Sequence, residues 1–378
     1  MCPDPKALRR LYTDPGVFFL VSMTTDRSLY KSLRMSLWRA MKTASPQGEQ
    51  GEYSDPLDLP PLDLNDLGPA GREAFTSPEM TLFVDALRLD GKSVRDSILG
   101  DLAEYHDLTI DQARTACLDW EEASVDEWRS TNASDSDEGR IEFYRTTQSW
   151  SFDLSWWAYL QSEGRADPSN VLALRFAHQY APGRRHLDFG SGVGVTSQLF
   201  TRAGWSSTSA DLSSTLLDFA RFRNQRRGDE ITYIDLHSRQ LPAGAYDAIT
   251  AIDTLAHVPD VYDACRALHT ALGPNGVLVA NFDIRAAVPG TEWHLYDDDL
   301  RPVYDLRRAG FTPIGPVGYG MVGYRKVTPS GLGHRLRVAG AWLTFGEPST
   351  SGVASAQQTV APLTGEASDA APRLRRGG

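Results

Sequence analysis

Residues able to do chemistry first gather at His186-Leu187-Asp188-Phe189-Gly190-Ser191-Gly192-Val193-Gly194. Glycines at alternate positions, Gly190, Gly192 and Gly194, let the backbone come close to a ligand, because no Cβ intervenes and positive φ is tolerated. A helix from about Ser197 would aim its first amide groups at that ligand. Asp188, two places before the first glycine, suits a ligand with a positively charged end. The dinucleotide fingerprint G-x-G-x-x-G requires a small residue at position 195, where this chain has Val195. Pyrophosphate binding therefore fits the turn poorly.

The turn needs a strand before it and a layered fold around it. From Arg185 onward, expected strands cover Arg185–Phe189, Ser206–Ala210, Ile231–Ile234, Ala248–Ile252, Gly276–Asn281, Phe311–Pro316 and Gly320–Val327, with helices between most of them. Such alternation predicts an α/β fold with an open, mainly parallel sheet and helices on both faces. Ligands bind such sheets beyond the carboxyl ends of the strands. Two further acids fall at those ends. Asp211 closes the second strand, where a carboxylate accepts hydrogen bonds from both hydroxyls of a ribose. Asp235 closes the third, where it takes an adenine amino group while Leu236 covers the ring. The fourth strand leads into Leu255-Ala256-His257-Val258-Pro259-Asp260, and Leu272-Gly273-Pro274-Asn275-Gly276 opens the fifth.

This ordered set, over about residues 170–327, resembles the class I S-adenosylmethionine-dependent methyltransferases, especially their small-molecule branch. The resemblance implies a Rossmann-like seven-stranded mixed sheet whose last strand is antiparallel, with S-adenosyl-L-methionine as cofactor. It also implies that Gly190, Gly192 and Gly194 contact the cofactor and Asp188 faces its amino acid end. Asp211, with Leu212 beside it, would meet the ribose, Asp235 and Leu236 the adenine, and Ile252 the methionine part. The Asn/Asp-Pro-Pro-Tyr/Phe signature of enzymes that methylate amino groups of bases is missing from the fourth strand. Leu255–Asp260 resembles the "LEHVPD" turn of small-molecule enzymes, with Ala256 in place of the acid. Gly290-Thr291-Glu292-Trp293-His294 loosely resembles a segment of ubiquinone-type O-methyltransferases.

Methyl transfer asks an enzyme to align a nucleophile, exclude water and, for a hydroxyl, remove a proton. His257 and His294 are the candidate bases, since histidine titrates near neutral pH. Plainer roles compete: His257 fixing its own turn, and His294 lying on the surface. Tyr144 is a candidate for orienting a substrate. Asp297-Asp298-Asp299 reads as a helix N-terminus.

Upstream, residues 1–160 read as a mainly helical accessory domain capping the substrate. Its stretch near 43–74 is rich in Pro, Gly, Asp and Ser and reads as flexible and irregular. Ser77-Pro78, Ser93 and Thr109-Ile110-Asp111-Gln112 are helix starts, the last helix running through Trp120. Ser130–Gly139 reads as a loop. The aromatic residues Phe143, Tyr144, Trp150, Phe152, Trp156, Trp157 and Tyr159 suit a domain junction or a pocket wall. The catalytic domain spans 161–330, and the tail 331–378 has the composition of a disordered segment.

With 378 residues, a net charge of −11 and pI near 5.2, the chain lacks the basic field that nucleic-acid binding needs. Arg221, Arg223, Arg226 and Arg227 read as a solvated helix end. Three scattered cysteines, Cys2, Cys117 and Cys265, fit neither a disulfide scaffold nor a metal site. No run is apolar enough for a membrane span. A cytoplasmic enzyme with a small-molecule acceptor follows, a homodimer being an option. A methyltransferase for a peptide or protein held by the helical module is the alternative, and a cofactor-binding protein without catalysis is a third reading.

Overall fold

The computed structural model describes residues 69–282, 293–296 and 300–328. The expectations for residues 1–68, for Asp297-Asp298-Asp299 and for the tail lie outside the described residues.

The helical region comprises α1 (Pro69–Phe75), α2 (Pro78–Leu87), α3 (Val94–Tyr105), α4 (Ile110–Leu118), α5 (Trp120–Ser130), α6 (Asp137–Thr146) and α7 (Ser149–Ser162). Next come α8 (Ser169–Tyr180), β1 (Arg185–Phe189), α9 (Val195–Arg202), β2 (Ser206–Asp211), α10 (Ser214–Arg226), β3 (Thr232–Asp235) and β4 (Tyr246–Ala251). The chain continues through a 3-10 turn (Leu255–His257), α11 (Val261–Ala271), β5 (Leu272–Ala280), α12 (Leu300–Ala309), β6 (Phe311–Gly318) and β7 (Met321–Lys326). None of the described helices is long and apolar enough to cross a membrane.

Local chemistry explains the helix starts. Ser77 and Ser93 accept from the amides of Met80 and Asp96, at 3.3 and 3.0 Å. Thr109 and Gln112 form a reciprocal capping box. Three boundaries differ from expectation. Residues 69–75 are helical rather than irregular, since proline is well suited to the first helical turn. A one-residue break at Asp119 ends α4 before Trp120. The 130–139 segment is a turn only as far as Ser136, whose hydroxyl accepts from the Gly139 amide and starts α6.

The seven strands run in the order β3-β2-β1-β4-β5-β7-β6. Pairing is parallel from β3 to β5, and β7 is antiparallel to both β5 and β6. The mixed sheet with its reversed last strand is thus present. Alternate side chains divide between two cores, as a two-residue period requires. Leu187, Phe189, Ile249, Ala251, Leu278 and Ala280 face the side covered by α11 and α12. Ala248, Val277 and Val279 face the other side, where one continuous core also takes in Phe83, Ile98, Leu102, Trp156, Leu172 and Phe176. The helical region therefore shares a core with the sheet domain.

That shared core leaves no room at Gly323 of β7. A Cβ there would lie 1.9 Å from the Phe176 ring of α8. Gly323→Ala is expected to destabilise the protein by about 1–3 kcal/mol through overpacking, measured by urea unfolding of the full chain. An unchanged unfolding midpoint would contradict this packing.

Candidate active site

Strand order reverses between the neighbours of β1, so the turn after Phe189 opens at the crevice where such sheets hold ligands. Gly190, Gly192 and Gly194 all take positive φ, at 70°, 50° and 75°. The Gly190 and Ser191 amides donate to the Ala210 carbonyl of β2, at 2.8 and 3.2 Å. A Cβ on Gly190 would lie 2.2 Å from the Thr254 side chain, and one on Gly192 2.5 Å from Leu154 of α7. Both conformation and space therefore require glycine at these positions. Left-handed Gly194 acts as the N-cap, so α9 starts at Val195, two residues before the expected Ser197.

Asp188 lies beneath the turn and is 3% exposed. One oxygen accepts from Thr250 Oγ1 at 2.8 Å. The other accepts from the Ser197 amide at 3.3 Å and the Ser197 hydroxyl at 3.1 Å. Ser197 Oγ also lies 2.6 Å from Ser209 Oγ of β2. Burial pushes the Asp188 carboxyl up to about 6, with the hydrogen bonds from Thr250 and Ser197 working the other way. Because the Thr250 hydroxyl donates to Asp188, it accepts from His186 Nε2, 3.0 Å away. Burial also holds the His186 pKa well below its usual value, keeping the ring neutral with its proton on Nε2. The ring stacks on Phe200 with centroids 3.6 Å apart. Asp188 thus ties β1, β4 and α9 together at one point.

The other acids sit along the carboxyl edge. Asp211 accepts from the Gly192 amide and the Ser213 amide, both at 2.8 Å. Burial raises its pKa, opposed by these amide hydrogen bonds. Half-buried Asp235 accepts from the His237 amide at 2.8 Å and from Ser238 Oγ at 3.2 Å, closing its own turn. The Leu236 amide donates to the Asp211 carbonyl at 2.9 Å, which sets the two strand ends side by side. Leu212, Leu236 and Ile252 are only half-buried. A glycine cradle, an acid at the second strand end and partly exposed aliphatic side chains along one edge suit S-adenosylmethionine, whose adenine would cover that apolar surface. Among the described residues no cluster of three or more His, Cys, Asp or Glu could hold a metal ion.

Tyr144, His257 and His294 come together around Trp293. The Trp293 carbonyl accepts from the Tyr144 hydroxyl at 2.8 Å and lies 3.0 Å from His257 Nδ1. A carbonyl only accepts, so His257 carries a proton on Nδ1 and, when neutral, its lone pair on Nε2. The His257 and His294 ring centroids are 4.7 Å apart. His294 is 6% exposed, which overturns its reading as a surface residue. Burial pushes the Tyr144 hydroxyl far up, so it stays protonated and anchors the Trp293 backbone. Trp120, Trp128, Phe143 and Trp150 surround Trp293.

Several site residues had no sequence motif. Thr254 Oγ1 donates to the Phe189 carbonyl at 3.1 Å and packs over Gly190. Asp253 takes φ 51° and receives the Asn281 side-chain amide, while its own amide donates to Asn281 Oδ1 at 2.7 Å. The only available signal was a polar residue, Thr250, inside an apolar strand.

The profile of a family described as "Methyltransferase domain" matches residues 160–308. The ubiquinone biosynthesis O-methyltransferase of Bordetella parapertussis is 31% identical over 175 residues, 39% of this chain and 72% of that protein. The protein of the same name from Bordetella avium is 29% identical over 175 residues, with the same shares covered. Among solved structures, phosphoethanolamine N-methyltransferase 2 of Haemonchus contortus, in complex with S-adenosyl-L-methionine, is 17% identical over 46% of this chain and 44% of that one, with a TM-score of 0.38.

Gly190→Ala is expected to weaken S-adenosylhomocysteine binding at least tenfold, because the added methyl meets Thr254 and the backbone needs positive φ. Isothermal titration of the folded variant measures this. Wild-type affinity in the variant would show that the turn is not part of the cofactor site.

Proposed function

The chain belongs to the class I S-adenosylmethionine-dependent methyltransferases, and from that we propose that it methylates an oxygen or nitrogen of a small organic molecule held beneath the helical cap. S-adenosylmethionine supplies an electrophilic methyl group on its sulfonium when bound. The protein's part is to align the acceptor, exclude water and manage one proton.

The observation that carries this reading is the Trp293 carbonyl fixing the His257 proton on Nδ1. That tautomer makes Nε2 the ring nitrogen able to take up a proton, on a residue three positions beyond Thr254, which packs on the glycine turn. His257 is the proposed general base, with His294 beside it. Tyr144 is the residue that holds Trp293, and through it His257, in place. The cap covers the site from three directions. Leu154 sits over Gly192, the Arg145 carbonyl accepts from Ser213 and Thr215 at 3.4 and 3.3 Å, and Tyr144 reaches Trp293. Aromatic walls at 120–150 suit a planar acceptor. The relatives named O-methyltransferase favour oxygen as the acceptor atom. The proposed residues 1–160 therefore act as substrate cap and 161–330 as the cofactor domain. Free, buried thiols at Cys117 and Cys265 support a cytoplasmic setting.

The protein-substrate alternative requires the helical region to act as a separate recognition module. Phe83, Ile98 and Leu102 instead share one core with Leu172 and Val277, which favours a cap.

The test measures S-adenosylhomocysteine release with a panel of small phenols and amines. Turnover of a small acceptor is expected. His257→Gln should lower kcat by about 100-fold or more while leaving the cofactor Kd within twofold. Full activity in His257→Gln would remove it as the base.

A further inference from the structure

The arginines read from sequence as a solvated helix end are a buried junction between cap and cofactor turn. Arg221 alone behaves as expected, pairing with Asp218 at the surface. Arg223 and Arg227 are 1% exposed at their side chains, and Asp101 of cap helix α3 is fully buried among them. Asp101 lies 2.7 Å from Arg227 Nη1, 3.0 Å from Arg226 Nη1 and 3.7 Å from Arg223 Nε. Arg227 Nη2 also donates to the Leu87 carbonyl at the end of cap helix α2, at 2.8 Å.

From the same cluster Arg223 reaches the cofactor turn. Its Nη1 donates to the Val193 carbonyl at 2.8 Å, between Gly192 and Gly194, and its Nη2 to Gln198 Oε1 of α9 at 3.3 Å. Gln198 Nε2 in turn donates to Asp229 at 2.8 Å, and Asp229 pairs with Arg202. The planar guanidinium fork places two separate nitrogens on the Val193 carbonyl and Gln198 at fixed spacing, which the single nitrogen of an ammonium cannot match. Arg223 Nε makes no hydrogen bond, so its link to Asp101 is an ion pair at 3.7 Å, in which the buried carboxylate supplies counter-charge to a buried cation.

We propose that Arg223 is a positioning residue for cofactor binding: anchored by Asp101 of the cap, it fixes the Val193 carbonyl and so the shape of the glycine turn. Cap docking and cofactor binding are then coupled through one side chain. The proposal rests on the glycine turn being the cofactor site, on which Arg223 acts through the Val193 backbone. Coupling is reciprocal, so cofactor binding tightens the cap in the same measure.

The experiment is isothermal titration of the full chain with S-adenosylhomocysteine, comparing wild type, Arg223→Lys and Asp101→Asn, with thermal unfolding recorded for each. Arg223→Lys retains the charge facing Asp101 and loses the fork that spans Val193 and Gln198. It is expected to fold and to bind S-adenosylhomocysteine about tenfold more weakly. Asp101→Asn, where it folds, should weaken binding similarly, and the double variant should add little to either. A merely structural role would lower the unfolding temperature and leave Kd unchanged in the folded protein. Folded Arg223→Lys binding within twofold of wild type overturns the proposal, and losses that add fully in the double variant do the same. Wild type that binds no S-adenosylhomocysteine overturns the cofactor site itself.

Discussion

A carboxylate buried beneath a sharp turn must be fully hydrogen-bonded, and Asp188 meets that demand with groups from two other elements. Thr250 of β4 and the backbone and hydroxyl of Ser197 in α9 donate to it, while Asp188 itself belongs to β1. An unpaired polar group in that position would cost several kcal/mol on a transfer scale. The network continues to His186 on one side and to Ser209 of β2 on the other. Through Ser209 it satisfies one of the buried hydroxyls of β2, a strand with the polar sequence Ser-Ser-Thr-Ser-Ala-Asp. Asp188 thereby fixes the strand spacing and the angle at which the following helix leaves. The backbone of Gly190, Gly192 and Gly194 is held open by what lies underneath it.

The carboxyl edge is closed in from above by the helical region. Leu154 over Gly192 and the Arg145 carbonyl at the start of α10 bring helical-region atoms next to two of the strand ends proposed to hold the cofactor. The ring of aromatic side chains around Trp293 builds the remaining wall, and the Trp293 carbonyl sets the His257 tautomer. Under the proposed function, Trp293 would serve both substrate alignment and base orientation. Burial of Asp101 among arginines extends this dependence to the far side of the turn.

Much of the sheet domain was legible because its signals are local. Each expected strand matches an observed one to within a few residues, since short strands bounded by turn residues leave a clear local pattern. The helix starts at Ser77, Ser93 and Thr109 were equally local, as caps are. Residues whose meaning depends on distant partners were not legible. Arg223 and Arg227 look like solvated charges until α3 brings Asp101 to them. His294 looks exposed until the chain folds it against His257. Asp188 is expected at the amino acid end of the cofactor, and the protein donors that both its oxygens accept from, Thr250 and Ser197, carry no motif of their own.

The position of the bound cofactor fixes the role of every residue along the carboxyl edge. A crystal structure of the full chain with S-adenosylhomocysteine bound tests this most directly. The adenosine is predicted to run along the carboxyl ends of β1 to β3, its ribose at Asp211 and its adenine against Leu236, with the sulfur facing the His257 side of the cap. A ligand bound away from the glycine turn, or with its sulfur turned from His257 by the width of the cap, would contradict it.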